Sequence, residues 1–220
     1  MTTIWKVFLA LCVAFAMIAC SSSPTGGEAA SAPSKPAPPK PSESESGRVV
    51  FQRLYTTSRG WAGDTQPVSL QSQNYKHAGG NPDAPLGHDG KSAIWRGLFA
   101  SASRRSMKTY MWSGLTGPDA PNPGITPGTE DAWSATNTST QPFQLVYLKF
   151  DSDQAFETAR KHGGAALLKK EADLPVNYTL GWEARKSMLV WHVLYGRSTS
   201  SPDLDVVVDA TTNQFVRVEK

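Results

Sequence analysis

Four histidines, His77, His88, His162 and His192, are the side chains best suited to proton transfer near neutral pH. None stands in a catalytic motif, because the chain has no Gly-x-Ser-x-Gly elbow and no His-Glu-x-x-His. His77 and His88 share a Gly/Pro/Asn-rich loop with Asp83 and Asp89. A metal site can be drawn from these four, but the spacing is ordinary loop composition and no metal is expected. His162 precedes Gly163 at a helix end, where an imidazole meets the helix dipole favourably. His192 stands beside Trp191 in a strand and reads as a hydrogen-bonded core residue. Gly90-Lys91-Ser92 imitates the end of a phosphate-binding loop, yet Pro85 stands where the pattern needs glycine, so Lys91 reads as a solvated loop residue. Asp209 reads as a turn residue that hydrogen-bonds the backbone two positions on. Arg104, Arg105 and Lys108 form a basic cluster at a hairpin tip; it discourages strand aggregation, with contact to anionic lipid or cell-wall groups as the functional alternative. No catalytic residue and no cofactor is expected.

The two cysteines, Cys12 and Cys20, lie close to the N-terminus. From Ser21 onward there is no thiol for a disulfide, a metal or nucleophilic catalysis. Lys6 and the uncharged run from Val7 to Ala19 have the make-up of a signal peptide and are short for a membrane span. Met17-Ile18-Ala19-Cys20 resembles the lipobox of bacterial lipoproteins, in which the cysteine is lipidated and becomes the mature N-terminus. Met17 departs from the usual Leu, Val or Ile; the small residue before the cysteine is kept. Lipidation at Cys20 is therefore expected, with an ordinary signal peptide as the alternative. Ser21 after the cysteine resembles outer-membrane-directed lipoproteins, which places the protein in the bacterial cell envelope, lipid-anchored and facing the periplasm.

The precursor carries a net charge of +3, and loss of Lys6 with the signal leaves +2. Such a balance offers no electrostatic case for nucleic acid. Ser21 to Gly47 contains six prolines, eight serines and no branched aliphatic or aromatic residue. A segment of that kind cannot bury enough apolar surface to offset its ordering entropy and reads as a semi-rigid spacer.

The remaining residues, 48–220, show internal similarity. Ile94-Trp95-Arg96-Gly97-Leu98-Phe99 matches Val190-Trp191-His192-Val193-Leu194-Tyr195 at an offset of 96. The same offset lays Tyr110-Met111-Trp112-Ser113 on Val206-Val207-Val208-Asp209, and Gly117 on Asn213. Pro67-Val68 matches Pro175-Val176 at an offset of 108, which makes residues 77–90 an inserted loop. The expected elements are a helix near Val49–Trp61 and strands near Val68–Ser72, Ala93–Ala100 and Lys108–Ser113. In the second half they are a strand over Phe143–Phe150 and a helix that starts at the cap Asp151 and is interrupted at Gly163-Gly164. Strands follow over Asn177–Trp182, Met188–Tyr195, Leu204–Val208 and Phe215–Val218.

Leu189 to Tyr195, followed by Val208-Asp209-Ala210-Thr211-Thr212-Asn213, resembles the end of a PepSY-type domain, with Asn213 in place of the usual glycine. The first half is similar to a degenerate copy, with Ser113 at the place of Asp209. The resemblance implies an α+β fold of two similar modules, each a helix packed on an antiparallel sheet of about three to four strands. The expected domains are a signal peptide at 1–19, the lipidated cysteine and linker at 20–47, and modules at 48–130 and 131–220. The resemblance further implies a non-catalytic binding unit for a protein or peptide, including modulation of a protease. A small-ligand carrier and an unrecognised hydrolase are the alternatives. Buried tryptophans on the central strands, Trp95 and Trp191, are expected to be core rather than a binding platform.

Overall fold

The computed structural model describes residues 42–75, 85–117 and 119–219, all within one compact unit, Pro38–Lys220. Eight segments are strands: β1 (Gln66–Ser72), β2 (Ile94–Ser101), β3 (Ser106–Ser113), β4 (Gly124–Ala132), β5 (Val176–Glu183), β6 (Met188–Tyr195), β7 (Leu204–Asp209) and β8 (Phe215–Glu219). They form one antiparallel sheet in the order β8-β7-β6-β5-β1-β2-β3-β4. Helix α1 (Gly47–Trp61) precedes the first four strands. Helices α2 (Ser152–Ala159) and α3 (Ala165–Lys170) precede the last four. The class is α+β with a large antiparallel sheet.

One sheet face carries the main core. Val50, Phe51 and Leu54 of α1 and Ala155, Phe156 and Ala159 of α2 bury against Leu70, Trp95, Phe99, Tyr178, Trp191 and Val208, among others. The helix triplets lie 105 residues apart. Trp95 and Trp191 are fully buried and meet edge to face at 6.4 Å. Each indole N–H donates to a carbonyl one residue before a helix cap, Trp95 to Glu45 at 2.9 Å and Trp191 to Phe150 at 3.1 Å.

The ladders repeat as well. Trp95 faces Trp112 and Gly97 faces Tyr110; Trp191 faces Val208 and Val193 faces Val206. Adding 96 to each member of the first two pairs yields the second two. Between the halves, β1 and β5 pair antiparallel with Leu70 on Leu180 and Gln71 on Thr179. Gln71 and Thr179 are themselves 108 apart, the offset that relates Pro67-Val68 to Pro175-Val176.

Asp151 caps α2 as its sequence suggests. Its side chain accepts from the helix backbone while Gln154 accepts from the Asp151 N–H at 3.0 Å, a reciprocal pair. Helix α1 has no bond from its own cap, Ser46. Its free N–H groups go to the second half instead: Gly47 donates to Ser152 Oγ at 2.8 Å and Arg48 to Asp151 Oδ1 at 2.7 Å.

Several expectations need correction. Phe143–Phe150 is not a strand: it holds only a short 3-10 turn at Leu145–Tyr147. It is pinned by the Phe143 N–H to Pro67 O and the Phe150 N–H to Ala210 O, both at 2.9 Å. Strand β4 was not expected, since Pro127 and Gly128 argue against it; it is an exposed edge, where both are tolerated. The folded region starts earlier than Arg48. Glu43 bonds Gly114, and Glu45–Ser46 pair with Lys91–Ser92. Residue 130, expected to end the first module, lies inside β4. The two expected sheets are one continuous sheet. Gly117 and Asn213 both have positive φ, but the values, 154° and 59°, belong to different turns. Cys20, the signal and most of the linker lie outside the described residues, as do His77 and Asp83.

Candidate binding cleft

The sheet face opposite the helices presents the alternate residues of the central strands. Across its middle a polar row runs Arg96, Gln71, Thr179, His192, as the pairings of Gln71 with Arg96 and Thr179 and of Thr179 with His192 require. One step toward the C-terminal end of β1 the face sinks into a cleft of about 880 Å³. Gln71, Gln73, Asn177 and Thr179 form its floor, with Ile94 and Met111 on one flank and Leu194 on the other. Tyr75 and Pro121 close one end, and the loop from Arg197 to Ser200 forms a wall.

The centre of this floor is Asn177. It is 1% exposed, and neither its carboxamide oxygen nor its nitrogen has a partner. A buried amide left unpaired by protein groups costs about 1–3 kcal/mol, which a bound partner or an ordered water would recover. The strand pattern forces this placement. Val176, Tyr178 and Leu180 turn into the helix-side core, so Asn177 and Thr179 must face the other way. The β1–β5 ladder covers Ser69–Gln71 and Thr179–Gly181; beyond it the Tyr178 N–H goes to Ser72 Oγ at 2.8 Å and the Val176 N–H to the Leu86 carbonyl at 2.7 Å. The cleft floor offers the side-chain donors and acceptors of Gln71, Gln73, Asn177 and Thr179.

Its charge is close to neutral. Arg197 is the one lining cation among the described residues, and its guanidinium bonds Glu171 and Asp173. The Glu171 hydrogen bond, then Asp173, raises its already high pKa. Tyr75 donates its hydroxyl to the Asp119 carbonyl. No lining carboxylate, imidazole or thiol stands ready for acid–base or nucleophilic work among the described residues.

The residues singled out from sequence mostly hold structure. His192 Nδ1 meets Asp205 Oδ2 at 2.9 Å on the open face. His192, Asp205 and Glu219 bring ligand atoms within 4.8 Å of one another, a span that suits a divalent ion. Arg217 already occupies Glu219, through Nε at 2.7 Å, and reaches Glu183 through Nη1 at 2.8 Å. His88 Nε2 is taken by the Leu174 carbonyl at 2.7 Å, so it is tied into the fold and Asp89 is left without that neighbour as a metal pair. His162 stacks on Phe215 at 3.9 Å. Lys91 is exposed. Asp209 accepts from the Thr211 N–H at 2.6 Å, and Ser113 accepts from the Leu115 N–H at 3.2 Å, each two residues on. Arg104 lies over the Trp61 ring at 5.4 Å and bonds Glu130, and Lys108 lies over Tyr110. Arg105 takes φ of 51° in the hairpin turn.

The cleft itself was not among these. Its one sequence signal is Asn177, a carboxamide inside the apolar run Leu174 to Leu180, which formally matches a glycosylation acceptor. Burial of that side chain removes it as an acceptor in the folded chain.

No helix among the described residues is long and apolar enough to cross a membrane. No protein-family model and no curated protein matches the sequence. Among solved structures the chain is similar to a protein of Clostridium difficile 630, provisionally described as a lipoprotein and determined at 1.85 Å, with a TM-score of 0.45 and 11% identity over 77% of this chain and 91% of that one.

Proposed function

We propose that this chain is a lipid-anchored binding protein of the bacterial cell envelope, without catalytic activity of its own. It is processed at Cys20, held to the outer membrane and spaced from it by the Pro/Ser-rich linker. Its folded region is built from two similar PepSY-like modules joined through β1 and β5. The shared ladder offsets and the matching indole bonds of Trp95 and Trp191 support that duplication. The observation that carries the binding reading is Asn177, a buried and unpartnered carboxamide at the floor of a cleft whose described lining holds no carboxylate, imidazole or thiol. A carrier for an apolar ligand would need an apolar cavity, and this lining is dominated by amides and hydroxyls. The partner of this reading is a protein or peptide of the envelope, a protease among the proteins it would modulate.

Two measurements test it in the native host. Metabolic labelling with a fatty acid marks the wild type and not Cys20→Ala; an unlabelled wild type removes the anchor. A photo-crosslinking residue at position 71, on the exposed part of the cleft floor, yields a discrete adduct that position 59, on the far end of α1, does not. Equal adducts from both positions, or none from 71, would overturn the cleft as the binding surface.

A further inference from the structure

We propose that the cleft holds an extended, uncharged peptide by its backbone, through a ladder of side-chain carboxamides. The inference rests on the cleft being the binding surface and names what fills it. Gln71 and Gln73 are two residues apart on β1 and its continuation, and Asn177 and Thr179 are two apart on β5. Both pairs line the cleft, and the Gln73 N–H stays on the ladder by donating to the Ile94 carbonyl at 3.0 Å. Residues two apart on a strand repeat every 6.5–7 Å or so, which is also the repeat of like-facing peptide groups in an extended chain. A carboxamide presents its C=O acceptor and one of its two N–H donors on one edge, so it pairs at two points with the N–H and C=O of a single extended residue, which point the same way. The floor thus carries polar groups of the right kind at the right period.

The alternatives fit less well. Strand addition, the usual way a sheet takes a peptide, needs a free edge; β1 and β5 lie in the middle of an eight-stranded sheet, and past their shared ladder the Tyr178 and Val176 N–H groups are taken by Ser72 Oγ and the Leu86 carbonyl. A glycan also uses amides, but sugar faces seek an open aromatic ring. Tyr75, the one aromatic residue on the lining among the described residues, stands at the end of the cleft with its hydroxyl tied to the Asp119 carbonyl. A charged peptide finds no free counter-charge among the described lining residues, since Arg197 is engaged by Glu171 and Asp173. Ile94, Met111 and Leu194 on the flanks suit small aliphatic side chains. A segment of alanine-like residues meets all of these conditions, and recognition tolerates sequence because it is directed at the backbone.

The experiment uses the full-length protein in detergent micelles and three probes: acetyl-tetraalanine amide, the same peptide with its internal amides N-methylated, and chitotetraose. Titration followed by ligand-observed NMR is expected to show saturable binding of the first peptide. N-methylation should weaken it by about tenfold or more, and Gln71→Ala and Asn177→Leu each by about three- to tenfold, as the loss of one or two neutral hydrogen bonds gives. Thermal melts on the same samples show that both variants are folded; if Asn177→Leu is not, the exposed Gln71→Ala carries the test. Equal binding of the methylated peptide overturns the backbone clamp. Tighter binding of chitotetraose overturns the peptide in favour of a glycan. Absence of binding by any probe also overturns the clamp, while an adduct at position 71 in cells would still sustain the cleft as a binding surface.

Discussion

The two halves, Gly47–Ala132 and Ser152–Glu219, share a ladder register and a core triplet, yet they manage their helices in opposite ways. Helix α1 runs 15 residues without interruption and has no cap bond of its own. Helix α2 runs 8 residues, is capped at its N-terminus by the reciprocal Asp151–Gln154 pair, and then opens into a wide turn at Arg160–Gly164 before α3. Asp151 explains the asymmetry. One carboxylate accepts from Ser152 N–H, Arg48 N–H and Ser46 Oγ, and so terminates both helices. At the helix N-termini the second half supplies its own cap and the first leans on it. The open turn has its own local cause. Gly163 takes φ of 112°, and a side chain at Gly164 would collide with the Tyr195 ring, which fills the space a regular helix would cross.

This comparison can be broken most forcefully in the core. Trp95→Ala and Trp191→Ala should each cost about 3–5 kcal/mol, and because one sheet joins the halves, each should lower a single melting transition rather than one of two. Two separate transitions in calorimetry would mean that the halves are independent. Asp151→Ala comes next. It removes charge-assisted bonds to two helix termini and should cost about 2–4 kcal/mol in denaturant titration, against about 1 kcal/mol or less for Ser46→Ala. Equal losses for these two variants would make the shared cap an ordinary one.

Asn177→Leu should act in the other direction. It replaces an unpaired buried amide by a shape-similar apolar group, so stability should stay within about 1 kcal/mol of wild type or rise. A large loss would show that the carboxamide is needed for the fold and not for a partner.

The smallest effect is on pH dependence, and it belongs to the first half alone. The Ser101 hydroxyl, with the Ser103 amide, holds the Asp64 carboxyl down to about 2. The Ser106 hydroxyl, with the Trp61 indole, holds Glu130 down to about 2. Both pKa values are depressed on folding, so the stabilisation is complete above the usual carboxylate range and is lost as pH falls from about 4 toward 2. The melting temperature should drop across that window, and the drop should shrink in Asp64→Asn with Glu130→Gln. An unchanged acid slope in the double variant would remove these two carboxylates from the account.

Much of the second half was readable because its signals are local. The period-2 run from Leu189 to Tyr195, the Asp151/Gln154 cap and the Asp209 turn each lie within a few residues. The first half was harder for a physical reason. Glu43 to Ser46 are polar and read as linker, yet backbone bonds and the Trp95 indole fix them in place. Strand β4 is exposed along most of its length and shows no buried alternation. Phe143 to Phe150 has strand-like composition, but Phe143 is spent on stacking with Phe51 in the core rather than on a ladder. The cleft was invisible because it exists only where Gln71 and Thr179 meet, 108 positions apart in the chain.

The contact between Trp95 and Trp191 has an optical consequence. Their rings stand 6.4 Å apart at 69° and both are shielded from water, with Gly47 above them: a β-carbon there would meet Trp191 at 2.6 Å and Trp95 at 3.0 Å. Two indoles this close and this fixed couple their electronic transitions, one contributed from each half of the sheet. The near-ultraviolet dichroism of the unlabelled protein therefore carries a built-in signal for the union of the halves, separate from the signal for their secondary structure.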